Sequence, residues 1–170
     1  MIQIKNAAEL QKMRKACAIS AAALKAGGEA IEPGITTAEI DKIIYDFIVR
    51  HGARPNFLHL YGFPATACIS VNDTVIHGIP NKQQQIRPGD IVSIDTGCKI
   101  DGFNGDNACT YACGKIDLEA QRLLDVTKES LHRGIEMACG GNRVGDIGHA
   151  VQSYVEENGF SVVRTFVGHG

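Results

Sequence analysis

The chain has 170 residues, 44% of them hydrophobic, with a formal net charge of -2 and a pI of about 6.3. That length can bury one sizeable core, and the charge balance offers no basic field for nucleic acid or an anionic membrane. No apolar run approaches the length of a membrane span, and "MIQIKNAAELQKMRK" lacks the basic-then-apolar order of a signal peptide, so the expected compartment is the cytoplasm.

In chain order, residues 7–27 read as a first helix, with Leu10, Met13, Cys17, Ala21 and Leu24 on one face and Gly27-Gly28 weakening its end. "PGITTAEIDKIIYDFIVRHG" predicts a second. Thr36 and Glu39 form a capping box, Ile40, Ile43, Ile44, Phe47 and Ile48 make the apolar stripe, and Gly52 is the stop. From about 66 to 113 the pattern turns to β, in "ATACISVN", "TVIHGIP", "DIVSIDTGCKI" and "GDNACTYACG", each bounded by Asn, Asp, Gly or Pro. Helical spacing returns in "LEAQRLLDVTKESLHRGIEMA" and "VGDIGHAVQSYVEENG", and "FSVVRTFVGHG" reads as a final strand. The six cysteines (Cys17, Cys68, Cys98, Cys109, Cys113 and Cys139) are expected as free thiols in a reducing compartment. Cys109 and Cys113 have no second pair at the spacing of a structural zinc site.

Shifting the chain by about 107 positions against itself uncovers a repeat. Residues 24–52 then lie without gaps over 131–159. Leu24/Leu131, Gly27/Gly134, Glu29/Glu136, Gly34/Gly141, Ile40/Ile147 and Gly52/Gly159 are identical, and Glu39/Asp146, Ile44/Val151, Phe47/Tyr154 and Ile48/Val155 are conservative. Two amphipathic helices with glycine stops look alike by default. A duplication is favoured because glycines and apolar positions keep one register across both helices and their connection.

The stretch "SIDTGCKIDGFNGDNA" carries the chemistry. Asp101-Gly102 is a two-residue hairpin turn, which sets Ile100 opposite Phe103 and Gly97 opposite Asp106. Asp95 and Asp106 then share a face as diagonal neighbours, close enough to converge on cations spaced ~3.5–4 Å. Solvated acids near a turn are the plain alternative, but Asp95 interrupts an apolar strand, where an unpaired charge is costly. Asp90 and Asp101 are turn residues. His77, beside Gly78, stands out less by itself, and Cys68 reads as a small apolar side chain.

Taken together, "ACISVNDTVIHGIP", "GDIVSIDTGCKIDGFNGD" and "FVGHG", in this order and spacing, resemble the type I methionine aminopeptidases. The resemblance covers essentially the whole chain. It implies the pita-bread α/β fold, an antiparallel sheet covered by helices in two pseudo-symmetric halves, with residues 1–170 a single peptidase domain: a first half of about 1–115 and the start of a second at about 116–170. It implies removal of the initiator methionine from nascent polypeptide N-termini, ribosome association, and two divalent ions, Mn, Fe, Co or Zn. The motifs place Asp95, Asp106 and His169 as metal ligands, with Asp106 bridging, His77 as the catalytic histidine that contacts substrate near the scissile peptide, and Phe63 and Cys68 in the methionine pocket. Two glutamate ligands of the family lie downstream of the "GHG" motif, outside these 170 residues, so the stretch is expected to be the N-terminal part of the domain and inactive alone. Asn104 stands where many members of the family carry histidine. The alternative from another class is a metal-free pita-bread module that binds peptides or proteins.

Overall fold

The computed structural model describes residues 3–165. In chain order these form α1 (Ala7–Glu29), α2 (Thr37–Arg50), β1 (Arg54–Pro55), a 3-10 turn at Leu60–Gly62, β2 (Ala67–Val71), β3 (Ile91–Ile100), β4 (Phe103–Ala112), α3 (Leu118–Glu136) and α4 (Val144–Glu157). The chain divides into two units, Met1–Ile116 and Asp117–Gly170.

In the first unit, β3 is the central strand of an antiparallel sheet, with β4 on one side and β2 and β1 on the other. The Asp101-Gly102 turn has positive φ at both residues, 53° and 86°, as a tight hairpin of this twist requires. Ile100 pairs with Phe103 and Gly97 with Asp106, as the turn chemistry predicts. Alternation along β3 sends Val92, Ile94, Thr96 and Cys98 into the core, all fully buried. Ser93, Asp95 and Gly97 go to the opposite face.

Helix α2 begins at the expected capping box: Thr36 Oγ1 accepts from Glu39 N–H and the Glu39 carboxylate accepts from Thr36 N–H. It seats Ile40, Ile44 and Ile48, each at 0% exposure, against the sheet. Each such burial stabilises by roughly 1.5–3 kcal/mol relative to exposure.

Helix α1 departs from expectation. It runs through Gly27-Gly28 to Glu29, and its buried face is Ala16, Ser20, Ala23, Leu24, Gly27 and Gly28, while Leu10, Cys17 and Ala21 are exposed. The reason is close approach. Ser20 Oγ donates to Thr96 O at 3.0 Å, Cys98 Sγ to Ala16 O at 3.5 Å, and a Cβ on Gly105 would lie 2.3 Å from Ala16 O. Only small residues allow a helix so near a strand, so bulk does not mark this face.

One predicted strand is a loop, and the described part of another is unpaired. Residues 74–80 form a loop beside β2: Asn72 and His77 take left-handed φ of 53° and 58°, which interrupts the extended run. Residues 160–165 have no ladder partner among the described residues, and 166–170 lie outside them.

In the second unit α3 buries Val126, Ser130 and Gly134, and α4 buries Val155. Adding 107 to the bounds of α2 gives those of α4, and the ends of α1 and α3 match in the same way. Gly34 and Gly141 both have φ 97°. A Cβ at Gly27 would meet Ile44 at 2.7 Å and one at Gly134 would meet Val151 at 2.9 Å, again counterpart against counterpart. The internal repeat read from the sequence is thus two helix pairs of one design. All six cysteines are free, and no described helix is long and apolar enough to cross a membrane.

Candidate functional site

The face of the sheet away from the α1 and α2 core gathers three of the predicted site residues. Cys68 on β2 pairs with Asp95 on β3, and Asp95 pairs with Ala108 on β4, one step along that face from Asp106. Directly paired residues project to the same side, so Cys68, Asp95 and Asp106 share one surface. Asp95 is half-buried and Asp106 exposed.

Electrostatics reports the same proximity. Burial, followed by the charges of Asp95, Asp106 and Asp41, pushes the Cys68 thiol up to about 11. The thiol is therefore neutral at physiological pH, a small buried side chain rather than a nucleophile. Gly97, opposite Asp106 and two residues along from Asp95, puts no side chain on its corner of this face. Asn56 and Phe57 reach over it, 3.2 Å from where a Cβ would stand. Asn56 N–H donates to Gly97 O at 2.9 Å, fixing that approach.

The loop that carries His77 is fastened to β2. Ile69 N–H donates to Gly78 O at 2.8 Å and Gly78 N–H to Ser70 Oγ at 3.0 Å, so the residue after His77 lies against β2. A Cβ on Gly78 would fall 2.3 Å from Ile69 O, which is why glycine follows the histidine. Phe63 is half-buried at the end of the 3-10 turn, two residues ahead of the buried run that leads into β2. His59, Tyr61, Asn72 and His77 all have φ between 49° and 68°. Left-handed non-glycine residues cost of order 1–3 kcal/mol each and cluster where function holds them. Here they flank Phe63 and Cys68 on both sides.

Among the described residues no three His, Cys, Asp or Glu side chains group as a metal cage. The third expected ligand, His169, lies outside those residues. Two carboxylates projected from adjacent strands onto one face are hard oxygen donors of the kind that divalent ions take. In donor chemistry Asp95 and Asp106 fit that role.

Comparison with known proteins decides the family. The model of metallopeptidase family M24 matches residues 11–170. This chain belongs to the M24 family. It is 52% identical over 170 residues to a methionine aminopeptidase of Clostridium perfringens and 48% identical to one of Clostridium acetobutylicum, covering all of this chain and 68% of each relative. A crystal structure of methionine aminopeptidase from Rickettsia prowazekii superposes with a TM-score of 0.97 at 39% identity, over all of this chain and 68% of that one. The pita-bread α/β fold expected from the motifs is therefore the fold of this M24 chain, and the class of activity is metal-dependent peptide hydrolysis.

Reading the sequence missed Thr37 and Asp41, which the structure ties to the site's two loops. Asp41 Oδ1 accepts from Thr66 N–H at 2.9 Å and Ala67 N–H at 2.8 Å. Its signal was a carboxylate next to core Ile40 in an apolar stripe. Thr37 Oγ1 donates to Asn81 O at 3.1 Å and accepts from Asn81 N–H at 2.9 Å. A threonine just inside a helix start gives no such signal.

Proposed function

We infer that this M24 chain acts in removing the N-terminal methionine from nascent polypeptides, as a methionine aminopeptidase, with two divalent ions (Mn, Fe, Co or Zn) at its centre. The observation that carries the reading is the shared face of Cys68, Asp95 and Asp106 in a chain 52% identical along its whole length to a protein of that name. The relatives named above are enzymes, so the metal-free binding module is not favoured.

Asp95 and Asp106 would hold the ions from adjacent strands, whose ladder fixes the carboxylate spacing, and His169 would add an imidazole. When bound, the ions supply Lewis-acid polarisation of the scissile carbonyl and activation of water. Cys68 and Phe63 frame the apolar pocket for the methionine side chain. The neutral thiol adds no negative charge to those of Asp95 and Asp106. His77, exposed at a left-handed turn beside β2, offers a ring nitrogen for a hydrogen bond to the peptide next to the cleaved bond. Nascent chain N-termini are the substrates in this reading, and ribosome association would bring them to the site.

The test is release of methionine from a Met-Gly-Met peptide by the protein at the full length of its relatives, with Mn or Co added. Asp106→Asn is expected to abolish turnover, a loss of at least about a thousandfold, and to lower bound metal. Normal turnover with normal metal content in that variant would remove Asp106 from the centre.

A further inference from the structure

We propose that Thr37 and Asp41, one turn apart on α2, are positioning residues: Asp41 sets the segment that carries Phe63 and Cys68, and Thr37 sets the segment that carries His77. What those segments touch rests on the aminopeptidase reading above.

The two side chains face the same way, since residues four apart on a helix lie one above the other. Asp41 takes both its backbone donors on a single oxygen, Oδ1, from Thr66 and Ala67. These amides lie between Phe63 and Cys68, so the carboxyl group holds the backbone where the pocket-lining segment turns into β2. Thr37, fully buried, makes a reciprocal pair with the backbone of Asn81. The Asn81 side chain in turn accepts from Gln83 N–H at 3.0 Å and Gln84 N–H at 2.8 Å, so the loop is gathered at that point. With Gly78 held on β2, the stretch from His77 to Asn81 is tied at both ends, and the histidine keeps its left-handed backbone.

The helix pair does not itself need these groups. In the second copy the counterparts of Thr37 and Asp41 are Val144 and Gly148, and α4 has the same length as α2. A half-buried carboxylate beside a stripe of isoleucines works against packing, because its charge loses water. Its bonds run to a segment 25 residues away rather than to its own helix. Both features fit a residue kept to hold a site.

Four variants of the protein at the length of its relatives test the clamp. Asp41→Ala is expected to lower the preference for Met-Gly-Met over Leu-Gly-Met about tenfold, mainly through KM, while Asp41→Asn, which keeps Oδ1, holds it within about twofold. Thr37→Val is expected to lower kcat about tenfold at nearly constant KM, with Thr37→Ser restoring it. Amide hydrogen exchange in the same proteins should speed up at Thr66 and Ala67 in Asp41→Ala alone, and at Asn81 in Thr37→Val alone. A lower melting temperature with unchanged selectivity and kcat would reduce both residues to packing and overturn the proposal, as would equal effects of Ala and Asn at position 41. If the unsubstituted protein releases no methionine, the aminopeptidase reading fails. The site-by-site exchange pattern then decides the clamp independently.

Discussion

At Asp41, burial raises the carboxyl pKa above the usual carboxylate value, although the amides of Ala67 and Thr66 pull it down. A raised value means that the folded chain binds this proton more tightly than the unfolded chain does. The contribution is therefore present below the unfolded pKa, ~3.9, and is lost as pH rises through the folded value. Asp41→Asn, which mimics the protonated group, is expected to raise the urea midpoint at pH 7, with the advantage fading as pH falls through the raised folded value and gone below ~3.9. An unchanged or lower midpoint at pH 7 would mean that the charged form's bonds to the two amides outweigh its desolvation. At this scale the sequence was legible where a period did the work. Asp95 and Asp106 share a face because strands alternate and a two-residue turn fixes register, whereas Cys68, read from the sequence as a small apolar side chain, joins them through a β2–β3 pairing that no short turn announces. Asp41 and Thr37 escaped because their partners are backbone groups of distant loops, and no spacing rule reports a contact 25 or 44 residues away.

Between elements, the tightest fit is that of α1 on the β3–β4 hairpin. Gly105→Ala would set a methyl group 2.3 Å from the carbonyl oxygen of Ala16, a backbone atom that can move only with its helix. The expected cost is about 1–3 kcal/mol, read as a lower urea midpoint at unchanged slope. Unchanged stability would mean that the helix shifts freely over the sheet. The same contact explains why α1 was misread. Hydrophobic spacing marks bulk, whereas this helix is seated by Ala16, Ser20 and Gly27, and its larger Leu10 is left 39% exposed. The stretch at 74–80 failed for a related reason: β-forming side chains favour extension, but a strand needs a ladder partner. By contrast, α2, whose capping box and isoleucine stripe lie within its own sequence, was read correctly at both ends.

On the scale of the molecule, the chain spans 68% of the length of the relatives named above. We propose that residues 1–170 supply three ligand positions of the centre, Asp95, Asp106 and His169. Residues 1–170 expressed alone are expected to release no methionine with Mn or Co present, whereas the protein at its relatives' full length does. Turnover by 1–170 at ordinary enzyme rates would end that view. Architecture was legible at this scale because the duplication and three separated motifs all point to one fold. His169, named as a ligand by its motif, lies outside the described residues. The matched helix pairs have one more consequence. Only six of 29 aligned positions are identical between residues 24–52 and 131–159, yet helix bounds and glycine angles coincide. The chain has thus already run a substitution trial on itself. Exchanging the differing residues that are exposed, and not packing seats such as Gly28, whose Cβ would meet the Tyr111 ring, would make a scan on a backbone already known to carry both side chains, and a position that then silences activity is read as chemistry instead of scaffolding.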